Sequence, residues 1–188
     1  MKKKIIVGLV LAMSVSMLAG CGKTEETADN AVQDISLESY EGDGWTLQYD
    51  PDVIMANAGD DGSVTFSYYS EEYPQAGSDY MMVSRIADID YETVLAGKQT
   101  DYEASDAEIT MSNFGADGAE SYSFTKTSEA SAESGLQTSI SCTAIPVDSD
   151  VILIESYITI EPEDEDMMRI DAAFETVAGT FAVTGTEE

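Results

Sequence analysis

The chain has 188 residues, 37 Asp and Glu against eight Lys and Arg, and no histidine, for a formal net charge of −29. Nucleic acid is excluded as a partner, because its phosphates would be repelled by so acidic a chain. Without histidine there is no Ser-His-Asp or Cys-His site and no imidazole-ligated zinc, and the few cations leave no dedicated phosphate clamp.

Lys2, Lys3 and Lys4 precede an apolar run from Ile5 to Leu18, broken only by Gly8, Ser14 and Ser16 and followed by the small residues Ala19 and Gly20. A basic start, a short apolar core and a small-residue exit read as a secretory signal peptide over 1–20. The run is short of the roughly 20 residues a helix needs to span a bilayer, and no later segment is long and apolar enough to do so. An ordinary signal needs no cysteine, yet Leu18-Ala19-Gly20-Cys21 resembles the bacterial lipobox. That resemblance implies that Cys21 carries diacylglycerol by a thioether and becomes the new N-terminus. The implied location is the cell membrane, lipid-anchored and facing the extracytoplasmic side. Each buried CH₂ of the acyl chains contributes about 0.8 kcal/mol, so two or more chains anchor stably. Cleavage after Gly20 would leave 168 residues and remove three of the eight cations, for a mature charge of about −32.

Cys21 and the acidic stretch through Ser39, nearly free of large apolar side chains, read as a lipidated cysteine and tether over 21–39. The globular domain then runs over 40–188. Trp45, Leu47 and Tyr49 alternate with polar residues, and so do Val64, Phe66 and Tyr68; "YMMVSRIA" follows. These predict a meander of antiparallel strands. Asp88 or Asp90 can cap a short helix carrying Val94 and Leu95, with Gly97 at its end. A strand through Ile109 and Met111 comes next, then one with Tyr122 and Phe124 on one face.

"LQTSISCTAIPV" puts Leu136, Ile140, Cys142 and Ala144 on one side. Cys142 therefore reads as a buried, inert thiol used as a small apolar residue. "VILIESYITI" carries apolar residues in both rows, Ile152, Ile154, Ile158 and Ile160 against Val151, Leu153 and Tyr157. Such a strand is covered on both faces. Pro162 opens a last helix whose Met167, Ile170, Phe174 and Val177 keep a three-four spacing. Gly179 is the expected stop. The acids Glu163 to Asp166 match the dipole at the start of that helix.

Candidate sites are few. The loops at Asp60-Asp61 and at Asp148–Asp150 are acidic, but neither fits the twelve-residue calcium loop pattern. "SYYSEEYPQAGSDY" gathers Tyr68, Tyr69, Tyr73 and Tyr80 around a Pro-Gly loop. Tyr69, Tyr73 and Tyr80 are candidate partner contacts, because tyrosine supplies stiff contact area; packing at the loop base is the alternative. Trp45 reads as core. No catalytic residue, metal ligand or cofactor is implied.

"GWTLQYDP", "YMMVSRIADIDYETVLAG" and the pair "VILIESYITI" with "MMRIDAAFETVAGTF" resemble the PsbP/MOG1-like family, over residues 40–183 or so. The resemblance implies an α+β fold, an antiparallel sheet of about seven strands flanked by helices as an α/β/α sandwich. It also implies a binding or accessory role with a protein partner, and brings no catalytic residues. The leading expectation is a lipid-anchored binding or accessory module. A divalent-cation binder is the alternative. Less favoured is a carboxylate-based hydrolase, which needs two facing carboxyls about 5 to 10 Å apart in a cleft.

Overall fold

Asp150–Ile160 alternates two apolar rows, and the computed structural model, which describes residues 36–68, 79–129, 136–160 and 165–184, sets this strand at the middle of the main sheet. The strands in chain order are β1 (Glu38–Glu41), β2 (Trp45–Tyr49), β3 (Ile54–Ala58), β4 (Val64–Tyr68), β5 (Tyr80–Ile86), β6 (Thr110–Phe114), β7 (Ala119–Thr127), β8 (Gln137–Val147), β9 (Asp150–Ile160) and β10 (Ala182–Val183). The helices are α1 (Tyr91–Asp101), between β5 and β6, and α2 (Glu165–Thr180), between β9 and β10. Seven strands form one antiparallel sheet in the order β3-β4-β5-β9-β8-β7-β6, and three form a second, β1-β2-β10.

The rows of β9 face two separate cores, as their composition demands. Ile152 and Ile154 join Trp45, Leu47, Phe66, Ile170, Phe174, Val177 and Phe181 on one face. Val151 and Leu153 join Val94, Leu95, Phe124, Cys142 and Ala144 on the other, under α1. The expected α+β architecture is the observed one, with α2 and the small sheet over the first face and α1 over the second. Cys142 is fully buried, and Tyr122 and Phe124 share a face as expected.

Three expectations need correction. The Trp45 strand does not enter the meander: β2 pairs with β1 and β10, and the meander is β3-β4-β5. Alternation shows that Trp45 and Leu47 point inward but not which layer carries them. β3, "IMANA", stayed hidden because Ala and Asn are poor strand formers. The small sheet opens at Glu38, two residues inside the stretch read as tether.

The second correction concerns α1. Asp90 is its cap, with Oδ1 accepting the Thr93 N–H at 2.7 Å. Gly97 does not end it; the helix runs on to Asp101. Glu103 takes the left-handed position instead, at φ 51°. Its N–H donates to Thr100 O and that of Ala104 to Gln99 O, the bond pair of a Schellman ending, and the Ala104 methyl is buried in the second core.

Third, α2 continues through Gly179 to Thr180, whose Oγ1 accepts the Gln48 N–H and lies within hydrogen-bond distance of the Gln48, Thr176 and Val177 carbonyls, to one of which its single hydrogen donates. The short tail after it becomes β10.

Candidate functional site

Glu155 interrupts the apolar row of β9 on the α1 side, and its side chain is only 3% exposed. A lone buried carboxylate is costly unless paired. Two residues of the α1 region meet that need: Lys98 Nζ lies 2.8 Å from Oε1, and the Tyr102 hydroxyl donates to the same oxygen at 2.8 Å. Burial works to lower the Lys98 pKa, but the Glu155 hydrogen bond and charge outweigh it and raise the value. Burial and the bond to Glu155 push the Tyr102 phenol far up. Lys126 Nζ, on β7, closes the cluster by donating to the carbonyls of Tyr102 and Glu103 at 2.9 and 2.8 Å. Cys142 stands opposite Glu155 on β8. Burial, then the Glu155 charge, pushes its thiol up to about 12, so it is no nucleophile near neutral pH.

A second buried acid, Asp79, stands at the start of β5 and is wholly enclosed. Its Oδ1 accepts the Thr159 N–H and Oγ1–H at 3.0 and 2.7 Å, while Oδ2 has no partner among the described residues. Burial raises its pKa to about 6 against the pull of those two bonds, with a further push from Asp171 of α2. Asp171 is raised as well, by burial and by Glu175. A hydrolase acid must touch its substrate, which an enclosed carboxyl does not do. Two open concavities among the described residues, one beside β2 and α2 and one along β3, are lined by neither Asp79, Cys142 nor Glu155.

The acidic loops are occupied by the fold. Asp61 Oδ1 accepts the Ser63 N–H and hydroxyl. Asp150 accepts the Asp88 N–H and the Arg85 guanidinium at 2.8 Å, and both hold its carboxyl below the ordinary range. Arg85 also reaches Asp43 at 3.3 Å, tying the β1–β2 loop to the β8–β9 hairpin. Among the described residues no three His, Cys, Asp or Glu side chains gather to hold a metal ion. No described helix is long and apolar enough to cross a membrane.

Of the candidate partner contacts, Tyr80 is half-buried and stacked on Tyr157 at 6.1 Å, and Tyr68 packs against the first core. Tyr69, Tyr73, the signal segment, Cys21 and the acids Glu163 and Asp164 lie outside the described residues. Trp45 is core, stacked between Tyr40 and Phe181.

Among the described residues, three of the exposed large apolar side chains sit at the edges of the main sheet. Met55 of the edge strand β3 is 48% exposed; beside and on the other edge strand, β6, Ile109 is 38% and Met111 66% exposed. Neither edge strand holds a charged residue, in a chain that is 24% charged. In the sequence Ile109 and Met111 are marked only as strand residues, because which strands end a sheet is a matter of topology. For Glu155 there was a local signal, a single acid in an otherwise apolar row.

The chain is similar in structure to the Saccharomyces cerevisiae Ran-binding protein Mog1p, with 11% identity and a TM-score of 0.47, over 81% of this chain and 97% of that one. It is similar also to cyanobacterial PsbP of Synechocystis, with 14% identity and a TM-score of 0.41, over 84% and 98% of the two chains. No family model matches the chain, and no curated protein matches it in sequence.

Proposed function

We propose that the chain is a lipid-anchored binding module on the extracytoplasmic side of a bacterial membrane, held by Cys21 and engaging a protein partner through its globular domain. The observation that carries the binding role is a division between inside and outside. Among the described residues, Glu155, Cys142 and Asp79 are enclosed, while the exposed large apolar side chains include Met55 and Met111 on two uncharged sheet edges. Natural edges are usually blunted by charge, proline or a bulge. An edge left bare suits docking better than turnover. The lipid anchor rests on the lipobox resemblance in register with the signal-like segment.

Two measurements in a bacterial host test the reading. Fatty-acid labelling and membrane fractionation should both be lost in Cys21→Ser; labelling unchanged in that variant removes the anchor. Photoreactive residues placed at 55 and at 111 should yield a discrete cross-linked species at one edge. Absence of any species at both positions removes the binding module.

A further inference from the structure

We propose that the free edge of β6 receives an extended, basic segment of a protein partner as an added strand. The inference rests on the binding-module reading and goes beyond it by naming the edge and the chemistry of the occupant.

Among the described residues β6 bonds to β7 on one side only and ends the seven-stranded sheet. Alternate N–H and C=O groups of such an edge are free to pair with another chain. Its five residues, "TMSNF", carry no charge.

The side chains beside the edge make an apolar strip. Met111 stands opposite Tyr122 in register, and Ile109 shares its parity. Tyr122 is stacked on Tyr91 of α1 with ring centroids 3.7 Å apart. The strip thus runs from an exposed methionine onto a rigid aromatic shelf. An added strand would lay alternate side chains along it.

Acids ring this strip. The Tyr122 hydroxyl donates to Glu120 at 3.0 Å and that of Tyr91 to Glu92 at 3.4 Å, and Glu108 is exposed just before the strand. An apolar strand with Lys or Arg at its flanks complements that arrangement. A second copy of this chain does not. Edge-to-edge pairing would bring the same acids together, on chains that each carry a formal charge of −29.

The edge is also held in place before any partner arrives. Gly115, in the turn after β6, takes φ 75° against the Phe181 carbonyl. The Ala116 N–H donates to that carbonyl at 2.7 Å, and Asp117 Oδ2 accepts the Val183 N–H at 2.9 Å. The β6–β7 hairpin is thereby clamped to the segment after α2. A clamped strand loses little freedom on binding, which favours affinity.

The probe is a synthetic peptide of about ten residues, alternating Val and Thr between terminal lysines, with a twin carrying Glu in place of Lys. The readout is the ¹³C-methyl spectrum of the full chain with labelled methionines, Met111 and Met55 being assigned by substitution. The lysine peptide should shift the Met111 methyl saturably and leave Met55 unmoved. Binding should fall at least about tenfold for the glutamate twin, and about tenfold for the lysine peptide against Met111→Lys. Since Met111 is largely exposed, that variant should keep the parent's melting temperature.

No saturable shift at Met111 overturns the inference. So does self-association that Met111→Lys abolishes, which would make the occupant a second copy. A shift confined to Met55 also overturns it but moves docking to β3 and leaves the binding-module reading intact. That broader reading fails separately, if no cross-linked species forms at either edge.

Discussion

Lys98 of α1 and Glu155 of β9 meet at 2.8 Å, the lysine side chain a quarter exposed and that of the glutamate almost wholly enclosed. A buried ion pair adds little net stability, yet removing one partner strands the other. Lys98→Met should therefore destabilise the domain by about 2–3 kcal/mol, at the low end for buried pairs because the lysine side chain is partly exposed. Lys98→Met combined with Glu155→Gln should recover much of that loss. Urea melts of the two single variants and the double variant check it; a single Lys98→Met variant as stable as the parent would show that Tyr102 alone satisfies Glu155.

Asp79 predicts a pH dependence with a definite sign. Burial sets its pKa at about 6 in the folded chain, above the ordinary 3.8. Between these values the folded state binds the proton and the unfolded state does not, so the stabilisation is full below about 4 and is lost as pH rises through about 6. Asp79→Asn keeps an oxygen for Thr159 and carries no charge. It should be more stable than the parent at pH 8, by up to about 2 kcal/mol, with the difference shrinking toward pH 5. Thermal melts of both proteins across pH 5–8 decide it, and equal slopes would remove Asp79 as the cause.

Cys142 should resist modification in the native chain. It is fully buried, and burial with the nearby Glu155 charge pushes its thiol up to about 12. In a Cys21→Ser background, where no second thiol competes, a maleimide probe should react only when denaturant is added. Native-state labelling at the rate of a free thiol would place Cys142 at the surface.

Gly115→Ala should loosen the β6–β7 hairpin. The left-handed backbone at φ 75° alone disfavours a side chain by about 1–2 kcal/mol, and the new methyl would run into the Phe181 carbonyl. A loss of at least about 2 kcal/mol is expected, with amide exchange quickened in residues 110–127 first. Unchanged exchange there would mean that the clamp to Phe181 does not hold the edge.

The amino-acid order by itself determined the elements whose pattern is local and unbroken. Alternation in 136–147 and 151–160 marks β8 and β9, the two apolar rows of β9 require cover on both faces, and the spacing of Ile170, Phe174 and Val177 marks the buried side of α2. These follow from periods of two and 3.6 residues, which any reader of the chain can count. The parity of Cys142 belongs with them.

Tertiary structure alone decided the rest, because the deciding partners are far apart in the chain. Trp45 points inward in either sheet, and its pairing with Val183 of β10, beside that of β2 with β1, places β2 in the small one. Gly97 offers a local stop, but the bonds made by Tyr102, Glu103 and Ala104 carry α1 past it. Tyr102 reaches Glu155 across 53 residues and Thr159 reaches Asp79 across 80. The bareness of β6 is of the same kind. Its composition is local, but its place at the end of the sheet exists only once six other strands have taken their order.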